Sequence, residues 1–310
     1  MEKKSEKKQI SNRKKTIIQY SLIVLAATVL GITGGAVIKK TFGQVEVDYS
    51  DFDANNYSLD PSELLKEYEK NPNKEFTPAE LVNIGLEKYR RCENSYSIGV
   101  GTASTIVNQT IRNAQIKNGD KYFEESISRS SVVSLANRVT QTGVGQSINL
   151  YKGKADDSES GKYKDEPVTY EPDKYKEECG KTLDEMFIYI ISNQSVIAEN
   201  CSITKTTEII KVELELDVNI ATYYYKKQMK SISNLSGLPT FDSLKHTYIF
   251  STDMTLLHSK VDEKYKAAMT GISASIHNTI NYYYHANEYL EIPSLDQAIN
   301  YSIEGEVKYE

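Results

Sequence analysis

The chain reads as α+β: an N-terminal transmembrane helix, then a mostly antiparallel, curved sheet of eight to ten strands packed with three or four helices. Three observations carry this reading. Thr16 to Ile38 run for 23 residues without a charge. Proline-headed capping signals open helices at Asp60 and Thr77. From about Ser95 onward apolar residues mostly alternate with polar ones at period two, the period of a strand with one wet face.

At 1.5 Å rise per residue, residues 16–38 form a helix roughly 33 Å long, enough for a hydrocarbon layer of about 30 Å. The leader, residues 1–15, carries seven Lys/Arg against Glu2 and Glu6, while only Lys39 and Lys40 follow the apolar run. That asymmetry keeps the leader cytoplasmic and sends the rest outward. A cleaved signal peptide is the alternative. Its apolar region would be shorter, and the one small-residue exit, Gly34-Gly35-Ala36, lies inside the run. The reading is therefore a single-pass cell-membrane protein with leader 1–15, membrane helix 16–38, stalk 39–59 and extracytoplasmic domain 60–310. Ala27, Gly31 and Gly35 share one helix face and would let two such helices pack closely, as a homo-oligomer would need; small residues are also simply common in membrane helices.

Along the domain, Asp60 caps a helix with Pro61 at its first position. Thr77-Pro-Ala-Glu80 is a capping box, and its helix presents Leu81, Ile84, Gly85 and Lys88 or Tyr89 on one side. Ile98, Val100, Ile106 and Ile116 share strand parity. Asn118-Gly119-Asp120 signals a hairpin. Phe123, Ile127, Val133, Leu135 and Val139 then fall on one face of a single alternating stretch. A Gly143–Gly145 turn leads to another strand, residues 154–162 read as a loop, and YKDEPVTY reads as a short strand. Helix returns near Pro172, with a capping box at Thr182-Leu-Asp-Glu185. Residues 204–217 alternate again, with Ile210, Val212, Leu214 and Leu216 inward. Asp217 or Asn219 caps a helix through IATYYYKKQMKSIS. The last third gives HTYIFSTDM, then a strand with Val261, Tyr265, Ala267 and Met269 against Lys260, Asp262, Lys264 and Lys266. A final strand puts Ile272, Ala274, Ile276, Ile280, Tyr282 and Tyr284 on one face.

Composition removes some functions. Residues 41–310 hold 28 basic against 41 acidic residues, a net charge of −13, which disfavours nucleic acid and anionic surfaces as partners. Tyrosine is abundant, at 23, and tryptophan absent; tyrosine suits strands half exposed to water. Cys92, Cys179 and Cys201 form no zinc spacing, and an odd count leaves at least one thiol unpaired. A Cys179–Cys201 bridge and three unpaired thiols both fit. Sequons begin at Asn56, Asn108, Asn193, Asn200, Asn234 and Asn300, a consequence of the Asn- and Ser-rich composition.

No motif names a reaction, so no catalytic residue, metal ligand or cofactor site is assigned. The run from Asp51 imitates a calcium loop but has Asn56 at the glycine position and Ser62 at the closing glutamate position. His246, His258, His277 and His285 show no ligand spacing and read as surface histidines. Asp156/Asp157 and Glu177/Glu178 sit in loop or helix-surface settings that raise no pKa. No nucleotide-binding glycine turn or nucleophile motif occurs. Two tyrosine triplets stand out. Tyr223, Tyr224, Tyr282 and Tyr284 form a candidate hydrophobic ligand wall, or else fill the seam between helix and sheet.

In element order over roughly residues 77–300, with the segments ELDVNIATYYYKKQMKSIS and EIPSL, the chain resembles the LolA/LppX-type half-barrels of the cell envelope. It also resembles single-pass membrane proteins of Gram-positive-type bacteria. The half-barrel resemblance implies a curved sheet wrapping helices around a cavity for lipid or lipoprotein acyl chains. It transfers no site residue, and an uncleaved anchor departs from that family's soluble shuttles. The expectation is a non-enzymatic, membrane-anchored extracytoplasmic binding domain for a lipid, a lipopeptide or another envelope protein. A structural or assembly subunit of an envelope complex is the alternative, and an extracellular hydrolase a more distant one.

Overall fold

The computed structural model describes residues 54–104, 108–131, 134–143, 145–159, 162–179, 183, 189–225, 240–266 and 273–284. Residues 1–15, the uncharged run 16–38 with Ala27, Gly31 and Gly35, most of 39–59, Thr182, His285 and the EIPSL segment lie outside the described residues. Among those described, no helix is long and apolar enough to cross a membrane.

Among the described residues, eleven strands form one antiparallel sheet. The first meander is β1 (Asn94–Ser104), β2 (Asn108–Asn118), β3 (Lys121–Arg129), β4 (Ser134–Gln141), β5 (Ile148–Gly153) and β6 (Val168–Tyr170). The second is β7 (Ser202–Lys205), β8 (Ile209–Glu215), β9 (Thr240–Ser251), β10 (Leu256–Lys266) and β11 (Ser273–Tyr283). Their first and last strands pair, β1 with β11, giving the order β6-β5-β4-β3-β2-β1-β11-β10-β9-β8-β7. The α-helices among the described residues include α1 (Pro61–Lys70), α2 (Pro78–Arg91), α3 (Ala155–Glu159), α4 (Pro172–Cys179) and α5 (Val218–Ala221).

This corrects the expected α+β fold of eight to ten strands with three or four helices. The described residues are 51% strand against 23% helix, so this part of the molecule is mostly β. The extra strands arise where long alternating runs break. In 204–217, Thr206 Oγ1 accepts from the backbone N–H groups of Glu208 and Ile209, and the local turn splits the run into the β7–β8 hairpin. In 121–139 the chain reverses between Arg129 and Ser134, so the single face expected there becomes two: Phe123 and Ile127 pack on one side of the sheet, Val139 on the other. Residues 154–162 contain α3 instead of a loop. Asp157 accepts from the Lys154 N–H at 2.8 Å and closes its first turn. Ala54–Tyr57 is a 3-10 turn, and Leu59 packs on the core.

The helix starts match their signals. Asp60 accepts from the N–H groups of Ser62 and Glu63, and Thr77 with Glu80 makes the reciprocal capping box. Asn118 pairs with Lys121 around Gly119, whose φ of 59° is the left-handed region that favours glycine.

Directly paired residues of an antiparallel sheet share a face, so the register sorts side chains into two sets. The inner face carries Val212, Leu214, Leu244, Tyr248, Val261 and Tyr282, which pack with Leu81, Ile84 and Tyr89 of α2 in the largest core. Gly85 sits at that seam: a Cβ there would lie 2.1 Å from a ring carbon of Phe250. The outer face carries Ile98, Ala114, Ile116 and Ile127, covered by Ala155 of α3. Tyrosine is used differently from the expectation. Tyr89, Tyr96, Tyr175, Tyr248 and Tyr265 are fully buried. Several buried rings bond through their hydroxyls, such as Tyr89 to Gln115 at 3.1 Å and Tyr282 with Ser259 at 3.0 Å.

Candidate functional site

The inner face is not uniformly apolar. Glu263 stands on β10 between Val261 and Tyr265, with the parity of both, and is 3% exposed. Its partner across β11 is Ile276, whose partner on β1 is Ala103, whose partner on β2 is Gln109. A carboxyl in such a row needs donors. Two tyrosines supply them: Tyr189 donates to Oε1, and Tyr225 to Oε2 at 3.4 Å. Tyr225 follows α5, whose first turn is set by Asp217 accepting from the Asn219 N–H. Tyr189 precedes a buried serine turn, in which Ser195 Oγ accepts from the Ser192 N–H and donates to the Ile190 carbonyl.

Around this carboxyl the rings form a box. Tyr189 and Tyr225 meet edge to face at 5.1 Å, Tyr225 and Phe241 lie 5.4 Å apart, and Phe241 and Tyr265 5.3 Å. Tyr189 also meets the His246 ring edge-on at 4.9 Å, and His246 Nδ1 lies 2.8 Å from the Tyr248 hydroxyl. Burial pushes the Glu263 carboxyl up, the two phenol hydrogen bonds oppose it, and the balance stands at about 7. Burial pushes His246 down to about 3, so its imidazole is neutral at physiological pH. The site is thus a carboxyl that holds its proton to near neutrality, beside a neutral imidazole, in an aromatic wall.

A second buried carboxylate lies on the opposite face. Glu125 is directly paired with Ala114, which pairs with Ile98, so it belongs to the outer set. Its Oε1 accepts from Arg138, Ser158 at 2.7 Å and Tyr163 at 2.9 Å, and the Arg138 guanidinium lies over the rings of Phe123 and Tyr163. Sheet thickness separates Glu125 from Glu263, so the two cannot act on one bond. Glu87 of α2 is another buried acid. Burial would raise it, but hydrogen bonds from Arg90, Arg91 and Ser62 outweigh that and hold it at about 2, which fits a structural anchor between α1 and α2.

The tyrosines singled out from sequence divide. Tyr282 and Tyr284 both meet Tyr89 of α2, with centroids at 5.0 and 6.2 Å, in the helix–sheet seam. Tyr223 packs with Ile190 in a small separate cluster, and its neighbour Tyr224 is exposed. Of the four histidines read as surface residues, His246 and His258 are buried; their strands run inside an eleven-stranded sheet, where both faces are partly covered. His277 is exposed and lies against Asp262 at 2.5 Å, and His285 is outside the described residues. Asp157 is buried in α3, whereas the side chains of Glu177 and Glu178 are outside the described set. Cys92 and Cys201 are free thiols, donating to the carbonyls of Asn94 and Ile197. Among the described residues no group of His, Cys, Asp and Glu could hold a metal ion. Sequence reasoning passed over Glu263, Tyr189 and Gln109, and read the buried His246 as a surface residue. The signal for Glu263 was its parity with Val261 and Tyr265, and for His246 its parity with Tyr248 and Phe250.

No family model matches this chain. No curated protein matches it either. Among solved structures, it is similar to one described as Rv2717c from M. tuberculosis, at 8% identity and a TM-score of 0.21, over 64% of this chain and 96% of that one. It is also similar to a fusion DH domain, at 10% identity and a TM-score of 0.14, over 73% and 81% of the two chains. Likeness at that level assigns neither fold family nor activity.

Proposed function

We propose that the protein is a membrane-tethered extracytoplasmic binding domain whose inner sheet face holds an amphiphile, a lipid or lipopeptide, without a reaction of its own. The observation that carries the reading is Glu263, protonated up to about pH 7 within the ring box of Tyr189, Tyr225, Phe241, Tyr265 and His246. An apolar wall with a few converging neutral polar groups is the composition of a small-molecule site. A phosphate would find no cation in this box, and an ammonium would find a carboxyl that prefers its proton. The half-barrel resemblance supports the same reading through an antiparallel sheet whose edges are β6 and β7 and whose inner face packs α2. The run 16–38 supports the tether.

The test is photocrosslinking of the full chain in phosphatidylcholine vesicles with a diacylglycerol carrying a photoreactive acyl chain. Labelled peptides from β9, β10 and β11 are the expected result. Label confined to the 16–38 peptide would overturn the reading, because a membrane helix alone would account for it.

A further inference from the structure

Beside the ring box the inner face changes character. On β1 the inner positions are Ser95, Ser97, Gly99, Gly101 and Ala103, all small. Two asparagines flank the glycines from either side: Asn113 of β2 is directly opposite Gly99, and Asn278 of β11 is directly opposite Gly101. Each side chain turns toward the space its glycine leaves. Asn113 Oδ1 lies 1.9 Å, and Asn278 Oδ1 2.9 Å, from where a Cβ on the facing glycine would be. Both oxygens are buried, and neither has a hydrogen-bond partner within the protein. One row further along, Gln109 is 1% exposed. Its Oε1 accepts from Ser128 at 2.7 Å, and its Nε2 is likewise buried without a partner.

A buried, unpaired amide group is costly, and three on adjacent rows of one sheet face are a concentrated cost. Two of them, Asn113 and Asn278, reach over β1, whose inner side chains are small or absent. Asn278 is also diagonal to Glu263 on the neighbouring strand, so the strip and the ring box share one surface. From β9 to β4 the rows through Gly99 and Gly101 contain no Lys or Arg: they read Tyr248, Ser259, Ile280, Gly99, Asn113, Ser126 and Asn137, then His246, Val261, Asn278, Gly101, Ile111, Ser128 and Leu135; the first row meets a cation, Lys152, only one strand further, on β5.

The geometry points to a head-group subsite: the amides of Gln109, Asn113 and Asn278 above Gly99 and Gly101 bind a neutral, hydroxyl-rich group, a glycosyl unit. Side-chain amides offer acceptors and donors in the same plane, which adjacent sugar hydroxyls match pairwise. A charged head group would meet no opposite charge on these rows. The inference rests on the binding function proposed above and names the polar end of the same ligand. A glycosyl group reaches the site as a lipid head or as a free sugar, and the experiment separates the two.

In the vesicle assay, unlabelled monoglucosyl-diacylglycerol, plain diacylglycerol and methyl β-glucoside compete with the photoreactive diacylglycerol. The expected result is that the glucosyl lipid displaces label from β9–β11 at about tenfold lower concentration than diacylglycerol, the factor that one or two net hydrogen bonds provide. Asn113→Ala and Asn278→Ala should each shrink that tenfold preference while leaving diacylglycerol competition unchanged. The unchanged arm shows that the variant is folded, and the comparison of unlabelled lipids on the parent chain needs no variant. Equal competition by the two lipids, with the inner face still labelled, overturns the head-group subsite and leaves the binding function standing. No label on the inner face overturns the binding function itself. Competition by methyl β-glucoside as strong as by the glucosyl lipid keeps the sugar chemistry and overturns the lipid source.

Discussion

Glu263 and His246 are joined through one ring, Tyr189, whose hydroxyl serves the carboxyl and whose edge meets the imidazole. Their titrations oppose each other. Glu263 is raised from an ordinary 4.5 to about 7, so its contribution to stability is fully present below 4.5 and lost as pH rises to 7. His246 is lowered from 6.5 to about 3, so its contribution is present above 6.5 and lost as pH falls toward 3. Between 4.5 and 6.5 the folded state holds one proton more than the unfolded chain at Glu263 and one fewer at His246, and the two slopes cancel. Glu263→Gln removes one side of that balance. Over this window the variant's stability should rise with pH by about 1.4 kcal/mol per unit more steeply than the parent's, as read from melting temperatures at a series of pH values; His258, also lowered by burial, adds the same slope to both. A variant with the parent's slope would show that the pair does not titrate this way. The inward parity of Glu263 was legible beside Val261 and Tyr265. Its partners were not, because Tyr189 and Tyr225 arrive from 74 and 38 residues away, and no local pattern encodes such a meeting.

Elements whose cause is local were the legible ones. Asp60, Thr77, Gly119 and Asp217 each act within four residues, and each does in the structure what its sequence signal implies. Strand counts were less legible, since alternation continues in sequence across a turn while the face it addresses reverses; residues 121–139 are the clear instance. The helix α2 allows both a local and a non-local test. Thr77→Ala removes the acceptor for the Glu80 N–H and should cost about 1 kcal/mol of stability; an unchanged melting temperature would count against the cap. Gly85→Ala should raise helix propensity by about 1 kcal/mol in an isolated helix. In this protein it should instead destabilise by about 2 kcal/mol, because the new methyl overlaps the Phe250 ring. The same change made on a Phe250→Leu background should cost much less, and equal costs on both backgrounds would place the strain elsewhere.

At the scale of the whole molecule, the pairing of β1 with β11 fuses two meanders into one sheet and brings Gln109 and Asn113 of the first against Asn278 and the ring box of the second. Neither meander holds the complete site. Under the proposed binding function the surface is fixed by register across the seam, and the proposed tether decides which side of a membrane it faces. The basic leader and the uncharged run 16–38 argue for the outside. Proteinase K added to intact cells should therefore separate the domain from a detectable N-terminal tag, leaving a membrane-held stub. Two outcomes would tell against this topology, and they differ. A chain untouched on intact cells but cut after lysis would place the domain in the cytoplasm. A mature chain found in the medium, beginning near Ala36, would make the apolar run a cleaved signal peptide and leave the binding face in solution, where an amphiphile would have to be carried and not met at the bilayer.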